Sequence, residues 1–400
     1  MHSPYPRPHL ADHVTTAVVV LTQTLIGVFL WKDLRPRVSK PVFKAAAATI
    51  CFLWFIVAGG MWIDAFDEGL HQYPIPSAFL SFWLAVANLW SIPAVGALAV
   101  YLIYRFISSR PRIASATEHN PLRRTLLRAA GTAAVAAPFV ATGFGALVER
   151  TNFTVREVDF PVRGLHPDMD GFRIVQVSDL HVSPYLSVRE AGRAVDIANE
   201  LKPHLAVVTG DLISEYGDPL DGAIAQIARL RADTGVLGCL GNHEIYAECE
   251  DYATAESARR GVKFLRSESR VVRWGNASLN VSGVDYQNFS WKNGHYLDGA
   301  ESLVQPGMPN LLLSHNPDVF PVSIEKGFDA MLGGHTHGGQ VTMEILKQDL
   351  NFARFYTRYI LGLYRLNGAS CYVTGGVGTI GMPVRIGVPP EVTLLRLRRA

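Results

Sequence analysis

The stretch AMLGGHTHGGQ at residues 330–340 places two histidines, His335 and His337, among glycines directly after a short apolar run. Side chains at positions i and i+2 of a strand point to the same side, so both imidazoles are expected to converge on one point. Glycine lacks a Cβ, which lets backbone and ligands approach each other closely. The stretch is either a glycine-rich turn with two surface histidines or part of a metal site, since imidazole is a common metal ligand.

Further groups that bind metals in proteins occur in the same kind of position, directly after an apolar, strand-like run. The run at 172–177 leads into Asp179 and His181, and the run at 205–209 leads into Asp211. In α/β sheets, ligands bind outside the carboxyl ends of the strands. We therefore expect these strand-end residues to meet at one site. They are Asp179, His181, Asp211, Asn242, His243, His315, His335 and His337.

The order of the apolar runs predicts the fold class. Early strand-like runs alternate with helical stretches at about 188–201 and 219–232. The later runs are more typical of strands, at 278–283, 310–314, 330–333, 370–374 and 391–397. Strand–helix alternation followed by strand-rich sequence predicts an α/β fold with two sheets and helices outside them.

Five ordered motifs resemble the calcineurin-like metallophosphoesterases, whose pattern is D-x-H, G-D, G-N-H-[DE], a lone His and G-H-x-H, each at a strand end. The chain supplies SDLH at 178–181, TGDL at 209–212, LGNHE at 240–244, LSHNP at 313–317 and GGHTHGG at 333–339. The resemblance covers about residues 155–400 and is closest to the membrane-attached, exported branch of that family. It implies a four-layer α/β/β/α sandwich and a binuclear metal-dependent phosphoesterase that acts through a metal-bound hydroxide.

The resemblance also implies the metal ligands. Phosphate ester hydrolysis needs a nucleophile at neutral pH and relief of negative charge, and two metal ions about 3.5–4 Å apart provide both. Mixed nitrogen and oxygen ligands suit Mn, Fe, Zn or Co, so the identity of the two divalent ions stays open. The implied ligands are Asp179, His181 and His337 for the first ion, Asn242, His315 and His335 for the second, and Asp211 as the bridge between them.

His243 is not a ligand in the family pattern. It is expected to stabilise the phosphoryl transition state or to protonate the leaving oxygen, which is a usual role for an imidazole. Glu244 is expected to orient His243 as a neighbouring partner. The chain departs from the pattern at Ser214, where family members often carry an acid. The hydrogen bond that such an acid would provide to the metal ligands is therefore in question.

Residues 1–150 are predicted to form a membrane region. Apolar runs at about 14–31, 45–63 and 77–107 approach or exceed the roughly 20 residues that cross a bilayer. Positively charged loops stay in the cytoplasm, so the first and third connections are expected inside and the N-terminus outside. The residues behind this orientation are Lys32, Arg35, Arg37, Lys40 and Lys44 in the first connection, Asp64, Asp67 and Glu68 in the second, and Arg105, Arg110, Arg112, Arg123, Arg124 and Arg128 in the third.

A fourth apolar segment at 129–148 differs in kind, because it follows the basic residues Arg123, Arg124 and Arg128 and is rich in Ala and Gly. It resembles a twin-arginine export signal, and a plain fourth transmembrane helix is the alternative. Both interpretations place residues 151–400 outside the cytoplasm. We therefore expect a multi-pass cell-membrane protein with an extracytoplasmic metallophosphoesterase domain; whether the segment is cleaved stays open.

The expected substrate is a phosphodiester of the cell envelope or a lipid-linked phosphate ester. A soluble phosphomonoester is an alternative, and so is a metal-binding sensor or scaffold with an inactive phosphoesterase fold. A transporter is disfavoured, because the polar residues within the apolar runs are few and uncharged. A net charge of +2 gives no basic field that would favour a nucleic-acid partner. The oligomeric state is open.

The aromatic stretch at 352–363 follows the histidine motif and contains Arg354 and Arg358. Aromatic and basic residues together are typical of a segment that lies on a membrane surface or lines a lipid-binding groove. A helix in the protein core is the alternative.

Overall fold

A computed structural model of the chain describes residues 10–35, 39–65, 77–109, 121–288, 295–345 and 348–400. The chain divides into two compact units. The first contains the residues up to Ala146 together with Gly381–Pro383, and the second contains Leu147–Ile380 and Val384–Ala400. Part of the charge pattern used to predict the orientation lies outside the described residues, namely Arg37, Asp67, Glu68, Arg110 and Arg112.

The first unit consists of long apolar helices: α1 (Leu10–Leu34), α2 (Lys40–Ala65), α3 (Ser77–Ser109) and α4 (Pro121–Leu147). In the described residues, three stretches are long and apolar enough to cross a membrane: Lys40–Val57, Ala85–Phe106 and Ala129–Thr151. The apolar part of α1, Ala17–Phe29, is shorter. Large apolar side chains such as Phe52, Phe106 and Val140 are exposed, as expected for helices that face lipid rather than water.

The second unit is built from strands joined by short helices. Its helices are α5 (Val188–Glu200), α6 (Leu220–Ile227), α7 (Asn242–Tyr246), α8 (Glu250–Arg259) and α9 (Phe320–Glu325). Its strands are β1 (Thr154–Val162), β2 (Arg173–Val177), β3 (Leu205–Thr209), β4 (Val236–Cys239), β5 (Val262–Phe264), β6 (Glu268–Trp274), β7 (Ala277–Gly283), β8 (Asn310–Leu313), β9 (Ala330–Gly333), β10 (Thr342–Ile345), β11 (Gln348–Asn351), β12 (Gly362–Leu366), β13 (Ala369–Val373) and β14 (Glu391–Arg399).

The strands form two six-stranded sheets and a separate hairpin of β10 and β11. The first sheet has the order β1-β14-β2-β3-β4-β5 and is parallel except where β14 meets β2. The second has the order β12-β13-β9-β8-β7-β6, with parallel pairing at its centre and antiparallel pairs at both edges. The central strands of both sheets are thus parallel.

Alternation of apolar side chains along the central strands builds the layers. Leu205 and Val207 of β3 pack with Leu311 and Leu313 of β8 in the core between the sheets. Val208, which points to the other face of β3, packs with residues of α5 and α6. The outer face of the second sheet packs against α9. The domain is therefore the four-layer α/β/β/α sandwich that the sequence predicts.

The segment at 352–363 is not a core helix, so that alternative is wrong. It forms a single 3₁₀ turn, Phe352–Phe355, which the side chain of Asn351 caps by accepting a hydrogen bond from the backbone N–H of Ala353 at 2.9 Å. The chain then runs as a loop into β12. Phe355 and Tyr356 are exposed, whereas Ile360 is buried and Tyr359 packs against the core beside α9. The first part of the stretch therefore contributes aromatic surface.

Candidate metal centre

The eight predicted site residues all follow the carboxyl ends of parallel strands, and the fold brings them together. The strands concerned are β2, β3 and β4 in the first sheet and β8 and β9 in the second. Three groups of side chains each place potential ligand atoms within 4.8 Å of one another. The groups are Asp179 with His181 and His337, Asp211 with His315 and His335, and His181 with Asp211 and His243. Asn242 begins α7, directly before His243, and is buried.

Asp211 lies between the two outer groups. Its Oδ2 atom is 2.9 Å from His315 Nε2 and 3.4 Å from His181 Nε2. On one side, His337 Nε2 lies 3.1 Å from His181 Nε2 and 3.4 Å from Asp179 Oδ1. On the other side, the rings of His315 and His335 are 5.1 Å apart. One carboxylate therefore touches both halves of the cluster.

The two histidines of the GGHTHGG motif contact different halves of the cluster, whereas strand alternation alone would bring them to one point. His337 contacts His181, whereas the ring of His335 packs against His315. The physical reason is the backbone, because β9 ends at Gly333 and both residues have positive φ, 75° at His335 and 51° at His337. The alternation of a strand no longer applies in that conformation.

The same strained backbone recurs at the other strand ends. Asp179, His181 and Asp211 have φ values of 53°, 46° and 54°. A left-handed conformation costs a non-glycine residue roughly 1–3 kcal/mol and persists where its surroundings impose it. Neighbouring glycines allow the close packing that does so, since a Cβ on Gly334 would overlap Asp179 and a Cβ on Gly241 would overlap Asp211. Such strain is concentrated at functional sites in proteins.

Backbone carbonyls and one hydroxyl fix the orientation of the imidazoles. His315 Nδ1 lies 2.6 Å from the carbonyl oxygen of Thr209, and His243 Nδ1 contacts the carbonyl oxygen of Ser214. A carbonyl only accepts, so each Nδ1 carries a proton, and Nε2 is the nitrogen of each ring left to bind a metal ion or substrate. The Ser214 hydroxyl lies 3.1 Å from His181 Nδ1. Ser214 thus supports two of the histidines at the position where the family pattern carries an acid.

Glu244 does not contact His243, so the role predicted for it is wrong. Its buried carboxylate accepts hydrogen bonds from the backbone N–H groups of Gly241 at 2.8 Å, Asp211 at 3.1 Å and Leu212 at 2.6 Å. It therefore joins the loop after β3 to the loop after β4. The sequence misses this because the acceptor is defined by backbone groups some thirty residues away.

Burial and mutual proximity shift the pKa values of the cluster. Burial lowers the pKa of His243 to about 4, although Asp211 opposes the shift. Burial, with His315 adding to it, lowers the pKa of His335 to about 3. Burial also lowers the pKa of His337, to which His181 contributes. These three imidazoles are neutral at pH 7, the state in which imidazole nitrogen binds metals.

For Asp211 at the centre of the cluster and for His315 beside it, neighbouring charges shift the pKa more strongly than burial does. Burial acts to raise the pKa of Asp211, but His315 and His243 outweigh it and hold that pKa well below the usual range. Burial acts to lower the pKa of His315, but Asp211 and Asp179 raise it to about 10. Asp211 is therefore ionised, and its closest imidazole carries a proton that a bound cation would replace.

The residues of the cluster fit a metal centre. Asp179 Oδ2 and Asn242 Oδ1 are buried oxygen acceptors that have no hydrogen-bond donor within the part of the chain described. A buried acceptor without a donor is costly, and a cation satisfies it. The contact between His337 Nε2 and His181 Nε2 equally requires a proton or a cation between two lone pairs. Carboxylate, amide and imidazole donors together suit divalent transition metals.

Two further residues contact the cluster and are not among those predicted. Tyr286, just beyond β7, places its hydroxyl 3.4 Å from His335 Nε2. Arg385 is fully buried, and its guanidinium donates to the carbonyl oxygens of Gly375 and Gly378 while lying 3.4 Å from His337 Nδ1. The only sequence signal for Arg385 is its place in the late GGVGTIGMPVRIGVPPEV stretch, which belongs to the resemblance but carries no obvious chemistry.

Comparison with known proteins relates this site to a family. The family model of the calcineurin-like phosphoesterases matches residues 172–351. A Bos taurus protein named "Transmembrane protein with metallophosphoesterase domain" is 28% identical over 417 residues, covering 96% of this chain and 89% of its own. "Phosphodiesterase YaeI" of Escherichia coli is 29% identical over 237 residues, covering 56% of this chain and 82% of its own. A solved structure of a phosphopantetheinyl hydrolase from Mycobacterium tuberculosis covers 52% of this chain and 91% of its own, at 14% identity and a TM-score of 0.33.

The chain therefore carries a calcineurin-like metallophosphoesterase domain. The protein is a metallophosphoesterase, that is, a hydrolase of phosphate ester bonds. The matched residues cover less than the predicted 155–400, and β12, β13 and β14 lie beyond them, although these strands complete the two sheets. The apolar helices and the name of the bovine relative both indicate a membrane protein.

Proposed function

We propose that the protein hydrolyses a phosphodiester of the cell envelope, or a lipid-linked phosphate ester, at a centre of two divalent metal ions. The observation that carries the proposal is the position of Asp211, whose Oδ2 lies within 3.4 Å of a histidine from each half of the cluster. A carboxylate in that position is suited to bridge two ions. The proposed ligands are Asp179, His181 and His337 on one side and Asn242, His315 and His335 on the other, with Mn, Fe, Zn or Co as the metal.

Two ions bound there would lower the pKa of a water molecule and neutralise charge on the phosphoryl oxygens. The chain's own contribution is to hold the groups around them. Nδ1 of His243 is engaged in a hydrogen bond to the Ser214 carbonyl oxygen, so Nε2 is the nitrogen available to substrate. We propose that His243 stabilises the phosphoryl group in the transition state or passes a proton to the leaving oxygen. The approach of an anionic substrate would favour the protonated ring that this donation requires.

Hydrolysis by the purified full chain in detergent tests the proposal. We expect the protein, loaded with Mn²⁺, to hydrolyse bis(p-nitrophenyl) phosphate faster than p-nitrophenyl phosphate. A faster reaction with the monoester would favour the soluble-substrate phosphomonoesterase. No hydrolysis of either compound by metal-loaded protein would favour the sensor or scaffold.

The membrane topology belongs to the same proposal. We infer that residues 1–150 anchor the protein and that residues 151–400 lie outside the cytoplasm, because the first and third connections are basic. The segment at 129–148 serves either as a twin-arginine-like export signal that is retained or as a further span. Alkaline phosphatase, which is active only outside the cytoplasm, should be active when fused after Arg150 and inactive when fused after Ser109. The reverse pattern would contradict this topology.

A further inference from the structure

A cavity of about 580 Å³ lies beside the turn that carries His337. Gly338, the next residue along the chain, forms part of its wall. The turn is tied to the opposite wall, because the hydroxyl of Thr336 donates to the carbonyl oxygen of Ile360. A ligand in this cavity would therefore lie next to the metal-binding motif. The lining residues are Gly338, Thr342, Asn351, Arg354, Thr357, Arg358, Ile360, Leu361, Tyr364, Gly387 and Val388.

The charged side chains that line the cavity are basic. The lining includes Arg354 and Arg358, and none of its residues is Asp or Glu. Two acids contact lining residues, and both already accept hydrogen bonds: Asp318 from the Thr357 hydroxyl and Glu149 from the backbone N–H of Gly387. Arginine pairs are a common means of holding phosphate, through charge-assisted hydrogen bonds.

Two donors in this cavity remain for a ligand. Arg358 forms no hydrogen bond or ion pair with another residue in the described ranges. The Tyr364 hydroxyl oxygen accepts from the backbone N–H groups of Ile360 and Leu361 at 2.8 and 3.2 Å, and its own proton has no acceptor among the described residues. A guanidinium and a phenol hydroxyl that line the same cavity suit an anion with several oxygens.

An exposed aromatic pair lies next in the chain to a residue that lines the cavity. Phe355 and Tyr356 directly follow Arg354, and their exposed fractions are 83% and 78%. Two neighbouring aromatic rings that are this exposed are unusual on a soluble surface and are typical of groups that sit among lipid headgroups and chains. Ile360, Leu361 and Val388 continue the apolar surface inward.

We propose that this cavity is a headgroup site for an anionic phospholipid, whose phosphate contacts Arg354, Arg358 and Tyr364 while its chains lie against Phe355 and Tyr356. Two arginines in the lining, with an exposed aromatic pair beside one of them, match an anion attached to an apolar body. The consequence for substrate class rests on the proposed function: a lipid held here presents a phosphate ester beside the metal centre, so the substrate is an anionic phospholipid.

The test uses the full chain in dodecyl maltoside micelles that contain Mn²⁺ and bis(p-nitrophenyl) phosphate. Phosphatidylglycerol is added at rising mole fraction, and phosphatidylcholine or inorganic phosphate is added in parallel. We expect phosphatidylglycerol to inhibit and phosphatidylcholine not to. The double variant R354A/R358A should need about tenfold more phosphatidylglycerol for half-inhibition, relative to its own lipid-free rate. R354K/R358K, which keeps the charge, should lie between that variant and the native protein.

The controls separate the lipid from a free anion. R365A removes an exposed arginine of β12 outside the cavity and should respond as the native protein does. F355S/Y356S should weaken inhibition by phosphatidylglycerol without changing inhibition by inorganic phosphate. Inhibition by inorganic phosphate that matches phosphatidylglycerol and ignores F355S/Y356S would overturn the lipid assignment.

A second readout does not depend on catalysis. Native mass spectrometry of the same micelles counts phosphatidylglycerol molecules retained per chain, and R354A/R358A should retain fewer than R365A. Equal retention by these two variants would overturn the headgroup site. If the native protein hydrolyses neither aryl ester, the proposed function fails while this count still tests the cavity.

Discussion

His243 is held at two atoms, through its backbone N–H to Asp211 Oδ1 at 3.0 Å and through its ring to the Ser214 carbonyl. These contacts place the ring at the edge of the metal cluster, where its ring centroid is 4.7 Å from that of His181. The position suits a group that acts on substrate, and the proposed ligand set does not include it.

Replacing His243 with alanine should therefore lower kcat by about 10²–10⁴-fold while metal content stays close to two ions per chain. Turnover of bis(p-nitrophenyl) phosphate and elemental analysis of the same preparation measure the two quantities. His166→Ala, a half-exposed histidine that precedes β2, is the matched control. Unchanged turnover in His243→Ala would remove this residue from the mechanism.

Ser214 acts on the ligands rather than on the substrate. Its hydroxyl contacts His181 Nδ1, so Ser214→Ala should weaken metal binding by about 10–100-fold. Activity at saturating metal should largely return, because the carbonyl that contacts His243 belongs to the backbone and is kept. Titration of the metal-free variant with Mn²⁺ measures the affinity. Ser214→Asp, which restores the acid typical of the family, should bind Mn²⁺ more tightly than Ser214→Ala. Equal Mn²⁺ affinity of the native protein and both variants would show that the side chain at position 214 does not affect metal binding.

At the scale of elements, the loops after β3 and β4 depend on one carboxylate. Glu244→Ala would leave the backbone N–H groups of Gly241, Asp211 and Leu212 buried without an acceptor. We expect a loss of about 3 kcal/mol, which lowers Tm by about 6–12 °C for a domain of this size. Glu244→Gln keeps one acceptor oxygen and should lose less. Thermal unfolding measures both, and a Tm unchanged in Glu244→Ala would contradict the role assigned to this contact.

The meeting of the candidate ligands at one place was predictable from sequence, because each is a distinctive residue at the end of an apolar run. At strand ends such as Thr209–Asp211 and Leu313–His315, an apolar run and a residue type that binds metals occur together. The residues that hold the candidate ligands and their loops in place were not predictable. The role of Glu244 depends on backbone groups of another loop, and Arg385 reaches the site from a distant stretch. Only the family resemblance implied that His335 and His337 separate; the separation depends on positive φ values, which the residue types themselves do not predict.

The whole molecule combines apolar helices with a phosphoesterase domain in one chain. A buried cluster of two carboxylates and five imidazoles costs free energy to assemble unless cations satisfy its lone pairs. Metal binding should therefore also stabilise the fold, by an amount that grows with metal concentration. Treatment with a chelator should lower the Tm of the native protein and have little effect on a variant that no longer binds metal.

The proposed centre of two metal ions is tested most directly by adding Mn²⁺ to the metal-free full chain while following both bound metal and hydrolysis of bis(p-nitrophenyl) phosphate. We expect no hydrolysis without metal, full activity at two ions per chain, and loss of both ions and activity in Asp211→Ala. Full activity in the metal-free protein, or at a single ion per chain, would contradict the account.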